Sequence, residues 1–375
     1  MKNVWHWKPL GMVCEVMNGG TPKTSVPQYW NGSRLWITPA EMGKRLSPYV
    51  DDTERKITVL GLRDSSAQVL PANSVILSSR APIGHLVINT KPMATNQGCK
   101  GLVPGEQLQH KFLYYYLSSI VELLNSLGTG ATFKELSAAK LKEVSIPIPP
   151  LPEQRRIVGI LDEAFAGIAT AKANAEKNIR NARAIFESYL ASVFAKRGEG
   201  WVEKPIAECF KVHSGDFLPA KAMVDAGKFD VYGGNGINGR HDQKNLSGSN
   251  IIIGRVGAKC GNVRYVEGDL WVTDNAFYIS EYFYKFDLEF LSRLLGRKQL
   301  RSTANQAAQP VISYTTIKDI ALEFPSDISM QKKISKGLNI MEAETRRLAS
   351  VYERKLAALE ELKKSLLHQA FTGEL

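Results

Sequence analysis

The side chains that could do chemistry in this 375-residue chain are cations and amides set among glycines, with no accompanying arrangement of nucleophiles. Residues 240–264 hold Arg240, Lys244, Arg255, Lys259 and Arg264 against one acid, Asp242, in a glycine-rich stretch that lets backbone approach a ligand closely. Guanidinium, ammonium and amide groups carried on loops are the groups that read base edges, while Ser, Thr, Lys and backbone N–H groups hold phosphates. By side-chain type the candidates are Arg34, Lys44, Arg45, Arg80, Asn96, Gln97 and Lys134, then Arg240, Lys244, Arg255, Lys259, Asn275, Gln306 and Gln309. Each has a plainer reading as part of a solvated loop surface. Arg80 and Arg255, at matching places after a strand, fit a structural role in their domains equally well.

Enzyme signatures are missing. Gly254-Arg255-Val256-Gly257-Ala258-Lys259 and Gly128-Thr129-Gly130 are short glycine-rich turns, not a GxxxxGK[ST] phosphate loop. There is no nucleophile elbow, paired-His zinc motif or dinucleotide fingerprint. The one Pro-Pro, Pro149-Pro150, sits in a linker and lacks the Asp/Asn-Pro-Pro-aromatic form of an amino-methyltransferase. The six histidines are scattered, and Cys14, Cys99, Cys209 and Cys260 lie far apart without a CxxC pair, which argues against zinc and against a disulfide framework. The expected chain catalyses nothing alone and holds no metal or cofactor.

A net charge of +11 favours an anionic partner, nucleic acid being the usual one. Most of the excess is early, since residues 1–150 hold 16 basic and 10 acidic groups. No apolar run reaches the roughly 18 residues of a membrane span. The start, Met1-Lys2-Asn3-Val4-Trp5-His6-Trp7-Lys8, is not a signal peptide, so a reducing cytoplasm is expected.

The elements that must carry these side chains occur twice. Gln154-Arg155-Arg156-Ile157 aligns with Gln331-Lys332-Lys333-Ile334 and Phe194 with Phe371, all at an offset of 177. Leu141-Lys142-Glu143-Val144 aligns with Ile317-Lys318-Asp319-Ile320 at 176. More loosely, Ser74–Arg80 resembles Asn250–Arg255, and Thr95-Asn96-Gln97 resembles Thr273-Asp274-Asn275. Each copy begins with short β-branched runs punctuated by Gly, Pro and Asn, which read as strands and turns. Helices are expected at Leu108–Leu124 and near 287–300, and a strand near 319–324. The class is α/β (α+β), divided as globular domains over 1–150 and 199–326 with helical spacers over 151–198 and 327–375.

The spacers show steps of four and three. The first places Ile157, Leu161, Ala164, Ile168, Ala171, Ala175 and Ala182 on one stripe; the second places Leu338, Met341, Thr345, Leu348, Tyr352, Leu359 and Leu362 there. Such spacing keeps a narrow apolar seam facing one partner helix. Small residues in one copy match large ones in the other, so the two are expected to pair within the chain as an antiparallel coiled coil related by a pseudo-twofold. Pro152 and Glu153 suit a helix start. Lys196-Arg197-Gly198 suits a basic last turn and stop, and Asp327 or Ser329 a cap.

The run Ile146-Pro147-Ile148-Pro149-Pro150-Leu151-Pro152-Glu153-Gln154-Arg155-Arg156-Ile157 leading into a long helix, with the ending His368-Gln369-Ala370-Phe371-Thr372-Gly373-Glu374-Leu375, resembles the DNA specificity subunit of type I restriction-modification enzymes. The resemblance implies two target-recognition domains, each reading half of an interrupted asymmetric site, with the helices setting the gap. It also implies two modification subunits that methylate adenine N6 with S-adenosylmethionine, and motor-nuclease subunits that use ATP and Mg²⁺. The second junction, Pro325-Ser326-Asp327-Ile328-Ser329-Met330-Gln331, departs from the first and puts its partner contacts in question. The alternative is an adaptor whose coiled coil joins two protein-binding domains without touching DNA.

Overall fold

Strand-forming β-branched runs and two long seamed helices dominate the computed structural model, which describes residues 5–80, 82–130, 134–305 and 309–375. The chain divides into two compact units, one of Met1–Glu176 with Glu353–Leu375, the other of Lys177–Tyr352. Each unit therefore takes half of each long helix.

The first unit has a five-stranded sheet in the order Cys14–Asn18, Cys99–Pro104, Val75–Ser79, Ile83–Asn89, Tyr49–Val50. A four-stranded sheet runs Arg55–Ile57, Trp30–Ile37, Met93–Thr95, Val69–Leu70. Val75–Ser79 is buried along its whole length, which suits its run of Val, Ile and Leu. Helix His110–Ser119, capped by the Gln109 side chain, drives Phe112, Leu113 and Tyr116 into a core with Leu77 and Leu102. The expected helix over Leu108–Leu124 is in fact broken at Ile120, and a second helix, Val121–Leu127, follows.

In the second unit the four-stranded sheet runs Phe210–Ser214, Ala276–Tyr282, Asn250–Gly254, Val263–Val266, and a three-stranded sheet runs Gly236–His241, Phe229–Gly233, Leu270–Val272. Helix Leu288–Arg297, capped by Asp287, buries Phe290, Leu291, Leu294 and Leu295. Both units close alike: His6–Pro9 pairs antiparallel with Ser145–Ile148, and Trp201–Pro205 with Ala321–Pro325. The start of each globular part is thus hydrogen-bonded to the strand that leads into its long helix.

The long helices are Leu151–Ala195 and Ile328–Thr372, 45 residues each. Their entrances are built from the same residue. Gln154 is fully buried, donates to Gln107 O and Pro149 O at 2.8 Å each, and accepts from Gln109 N at 2.9 Å. Gln331 is equally buried, donates to Pro325 O at 2.8 Å and accepts from Asp287 N at 3.0 Å. The departure in sequence at the second junction leaves this staple intact. Asp327 caps that helix, accepting from Ser329 N at 3.0 Å.

Inside the first unit the two helix segments run antiparallel. Arg156 donates to Leu375 O at 2.8 Å, Lys363 lies 5.4 Å from the Phe165 ring centroid, and Lys172 pairs with Glu360. Phe371 meets Phe112 and Tyr116 edge-on. Inside the second unit, Tyr189 near the end of the first helix abuts Gly337 near the start of the other, and Phe194 packs on Phe290.

The seam departs from expectation in part. Ile157, Leu161, Ile168, Ala175 and Leu338 are buried, and Ala171, Tyr352 and Leu359 half-buried. Leu348 and Leu362 are 38% and 47% exposed. Thr345, Ala349, Tyr352, Leu356 and Leu359 form the inward stripe instead, again in steps of four and three, with Ala349 and Leu356 facing inward where Leu348 and Lys355 were expected. The first helix also stops at Ala195, one residue before the basic turn, and Arg197 turns away to pair with Glu323 at 3.0 Å.

Candidate nucleic-acid interface

The sequence-chosen amides of the first unit lie on the loop that leaves strand Met93–Thr95. That strand runs parallel to Trp30–Ile37, and Asn96 N donates to Ile37 O at 2.9 Å. The Asn96 side chain is spent on the loop itself, accepting from Gly98 N at 2.8 Å and donating to Thr21 Oγ1 at 2.9 Å. The Thr21 hydroxyl in turn donates to Gln97 Oε1, and the amide NH₂ of the exposed Gln97 has no hydrogen-bond partner among the described residues. Gly20 N reaches Thr95 O at 2.9 Å, and a Cβ on Gly19 would stand 1.9 Å from Asn96 O, so only glycine lets the two loops touch. Arg80 lies against Gly98, whose added Cβ would meet Arg80 Cγ and Nε at 3.2 Å. Arg80 Nη1 is 3.9 Å from Glu135 Oε2, and Lys134 beside Glu135 is exposed. The structure therefore gathers Arg80, Asn96, Gln97 and Lys134.

It does not link Arg34, Lys44 or Arg45 to that group by any hydrogen bond or ion pair among the described residues. Arg34 is exposed on Trp30–Ile37. Lys44 pairs with Glu54 at 3.2 Å. Arg45 is half-buried and held by the buried carboxylate of Glu41 at 2.7 Å and by Asp52 O at 2.5 Å, which makes it a brace of its own loop.

The second unit builds the same hydrogen-bond frame. Thr273 N donates to Tyr232 O, Ala276 N to Thr273 O, Arg255 N to Asn275 O and Ile312 N to Arg255 O. Their counterparts are Asn96 N to Ile37 O, Cys99 N to Asn96 O, Ser79 N to Gly98 O and Leu136 N to Ser79 O. The frame corrects the sequence alignment by one residue: Thr273 stands at the place of Asn96, Asn275 at Gly98, and Arg255 at Ser79. Arg80 is matched by Val256, as the bridges Arg80–Glu135 and Val256–Val311 show. Side-chain likeness matches Thr95 to Thr273, whereas strand pairing places Thr273 one residue on.

Arg255 accordingly does not point as Arg80 does. Its Nη1 donates to Asp274 O at 3.1 Å, its guanidinium lies 5.6 Å from the Phe277 ring centroid, and its Nε is buried without a partner. It braces the loop that carries the exposed Asn275. Arg240 pairs with Asp230 at 3.4 Å and Lys244 with Asp269 at 2.7 Å. Lys259 and Gln309 are exposed, and Gln306 lies outside the described residues. Composition does not single out Lys100, a buried cation 3.8 Å from Glu135, because a lysine within an apolar strand reads as an edge residue. Nor does it single out Arg301, whose guanidinium donates to Ala258 O beside Lys259.

All four cysteines are free and buried, and no cluster of metal-ligating side chains occurs among the described residues. Burial pushes the Cys14 and Cys99 thiols up to about 12 and Cys209 to about 11. No helix among the described residues is long and apolar enough to cross a membrane.

Two globular parts on one repeated frame, each presenting different polar groups from equivalent loops, match a known family model. The model for the type I restriction modification DNA specificity domain matches residues 3–179 and again 198–353. This chain belongs to that family. Among curated specificity subunits, that of the MjaIX enzyme of Methanocaldococcus jannaschii is 30% identical over 58% of this chain and 54% of its own length. The EcoprrI subunit of Escherichia coli is 27% identical over 86% and 84%. The chain thus spans about half the length of the first relative and most of the second. A chain from a structure of type I restriction-modification complex assembly and conformational transition superposes with a TM-score of 0.81 at 16% identity, covering 99% of this chain and 98% of that one. The HsdS subunit of Thermoanaerobacter tengcongensis gives 0.65 at 16% identity over 100% and 98%. At that identity the likeness is one of fold.

Proposed function

We propose that each globular part of this specificity-family chain reads one half of an interrupted, asymmetric DNA site, and that the paired helices set the gap and dock two modification subunits. The observation that carries this reading is one hydrogen-bond frame built twice with unlike side chains upon it. Gln97, Arg80 and Lys134 stand on one copy; Asn275, Lys259 and Gln309 stand on the other. Identical readers on such a frame would select a palindrome, whereas unlike ones select two different half-sites.

The chemistry belongs to partners in this reading. Modification subunits methylate adenine N6 using S-adenosylmethionine, and motor-nuclease subunits use ATP and Mg²⁺, in the cytoplasm. This chain supplies orientation and catalyses nothing by itself. An adaptor that touched only protein would share the architecture, and salt separates the two. Retention of double-stranded DNA by the assembled complex should fall with a log–log slope of about −0.9 per phosphate contacted. A complex that retains no DNA, or retains it independently of salt, would leave the adaptor.

A further inference from the structure

We infer that Arg80 and Lys100 of the first unit form a two-cation clamp for one backbone phosphate of the DNA, with Glu135 occupying the clamp in the free protein. This rests on the DNA-recognition reading and adds a contact to it. Lys100 lies on strand Cys99–Pro104 with its side chain only 7% exposed. Its ammonium faces Glu135 Oε1 at 3.8 Å, while Arg80 Nη1 faces the other oxygen, Oε2, at 3.9 Å. Both gaps exceed a hydrogen bond. One carboxylate therefore spans two cations without bonding directly to either, and the trio keeps a net charge of +1. Beside them Ser79 is fully buried with its hydroxyl unpartnered, a further O–H with no acceptor. A buried ammonium is unfavourable unless hydrogen-bonded to an anion, and an entering phosphate brings several acceptor oxygens.

The second unit shows that the fold does not require two cations around a carboxylate here. Lys100 pairs across to Asn18, and its counterpart Phe277 pairs across to Ser214, in each case one residue before the glycine of the adjoining loop. Val256 and Val311 take the places of Arg80 and Glu135, and Arg255 over Phe277 that of Ser79 beside Lys100. The same corner holds a single guanidinium over an aromatic ring in one unit, and two cations around one carboxylate at non-bonding distances in the other. The two-cation version also lies against Gly98, beside the exposed Gln97. Glu135 and Arg80 are 44% and 37% exposed, which gives an incoming phosphate access to the pair.

The test is a salt titration of the whole complex, this chain with its modification subunits, on a duplex holding its site and on a scrambled duplex of equal length. Lys100→Met should weaken binding to both duplexes alike and reduce the magnitude of the salt slope by about 0.9, one phosphate. Glu135→Gln, at an exposed position, should tighten binding to both by removing the competing anion, and it keeps the test open should Lys100→Met fail to fold. A folded Lys100→Met with wild-type slope would overturn the clamp. So would Glu135→Gln with unchanged or weaker binding, or a Lys100→Met effect confined to the specific duplex, since a phosphate carries no sequence. Wild-type complex that shows no salt-dependent retention would instead overturn the DNA reading itself.

Discussion

At the scale of single residues, the chain spends some polar groups on itself and leaves others outward, and only hydrogen bonding tells which. Asn96 is committed to Gly98 N and Thr21, whereas the Gln97 amide is half free. Gln97→Ala should therefore alter base preference within one half-site with little loss of stability, as methylation mapping of the variant would reveal. Gly19→Ala, with its Cβ at 1.9 Å from Asn96 O, should shift the whole loop and weaken recognition at that half-site. The candidate residues were legible in sequence only as types. Arg80 and Arg255 look equivalent as letters, yet one lines an under-bonded anionic contact and the other braces Asp274 O over Phe277. Backbone pairing one residue out of step decides that difference, and no side-chain pattern records it. The thiols give a second test at this scale. Cys14 and Cys99 titrate near 12 in the folded state against an ordinary 9.0, so they remain protonated there while unfolded chains ionise. Stability from these groups is fully present below pH 9 and declines above it. Native protein at pH 8 should react negligibly with a disulfide reagent, and denatured protein should titrate four thiols; rapid native reaction would refute their burial.

At the scale of elements, the buried glutamines fix where each long helix begins. Gln154→Leu or Gln331→Leu removes two or three hydrogen bonds and strands buried partners, including Gln109 N or Asp287 N. Each should cost about 1–3 kcal/mol, read as a lowered midpoint in urea. The helices themselves were legible from sequence because a seam over many turns leaves little ambiguity. Their faces were less so: Leu348 is exposed while its neighbour Ala349 turns inward, because the same four-and-three steps fit two registers of one helix and only packing selects between them. Ala175, 1% exposed, is a stringent point on the true seam. Ala175→Lys should bury an unpaired charge and lower the melting temperature of the chain, whereas Leu362→Lys should be tolerated.

At the scale of the whole molecule, duplication supplies two copies of one frame, and divergence supplies two chemistries. The match of residues 3–179 and 198–353 to one domain model states the first point, and Lys100 against Phe277 on equivalent strands states the second. Inserting four residues, about one helical turn, into an exposed part of either long helix should change the gap between half-sites and leave their bases alone. Altered bases within a half-site would contradict the helices' role as spacer. The most direct measurement of the central claim is a genome-wide map of methylated adenine in cells carrying this chain with its modification subunits. Two unlike readers predict a single bipartite, asymmetric motif interrupted by a fixed number of unspecified bases, and a continuous palindromic motif would contradict them.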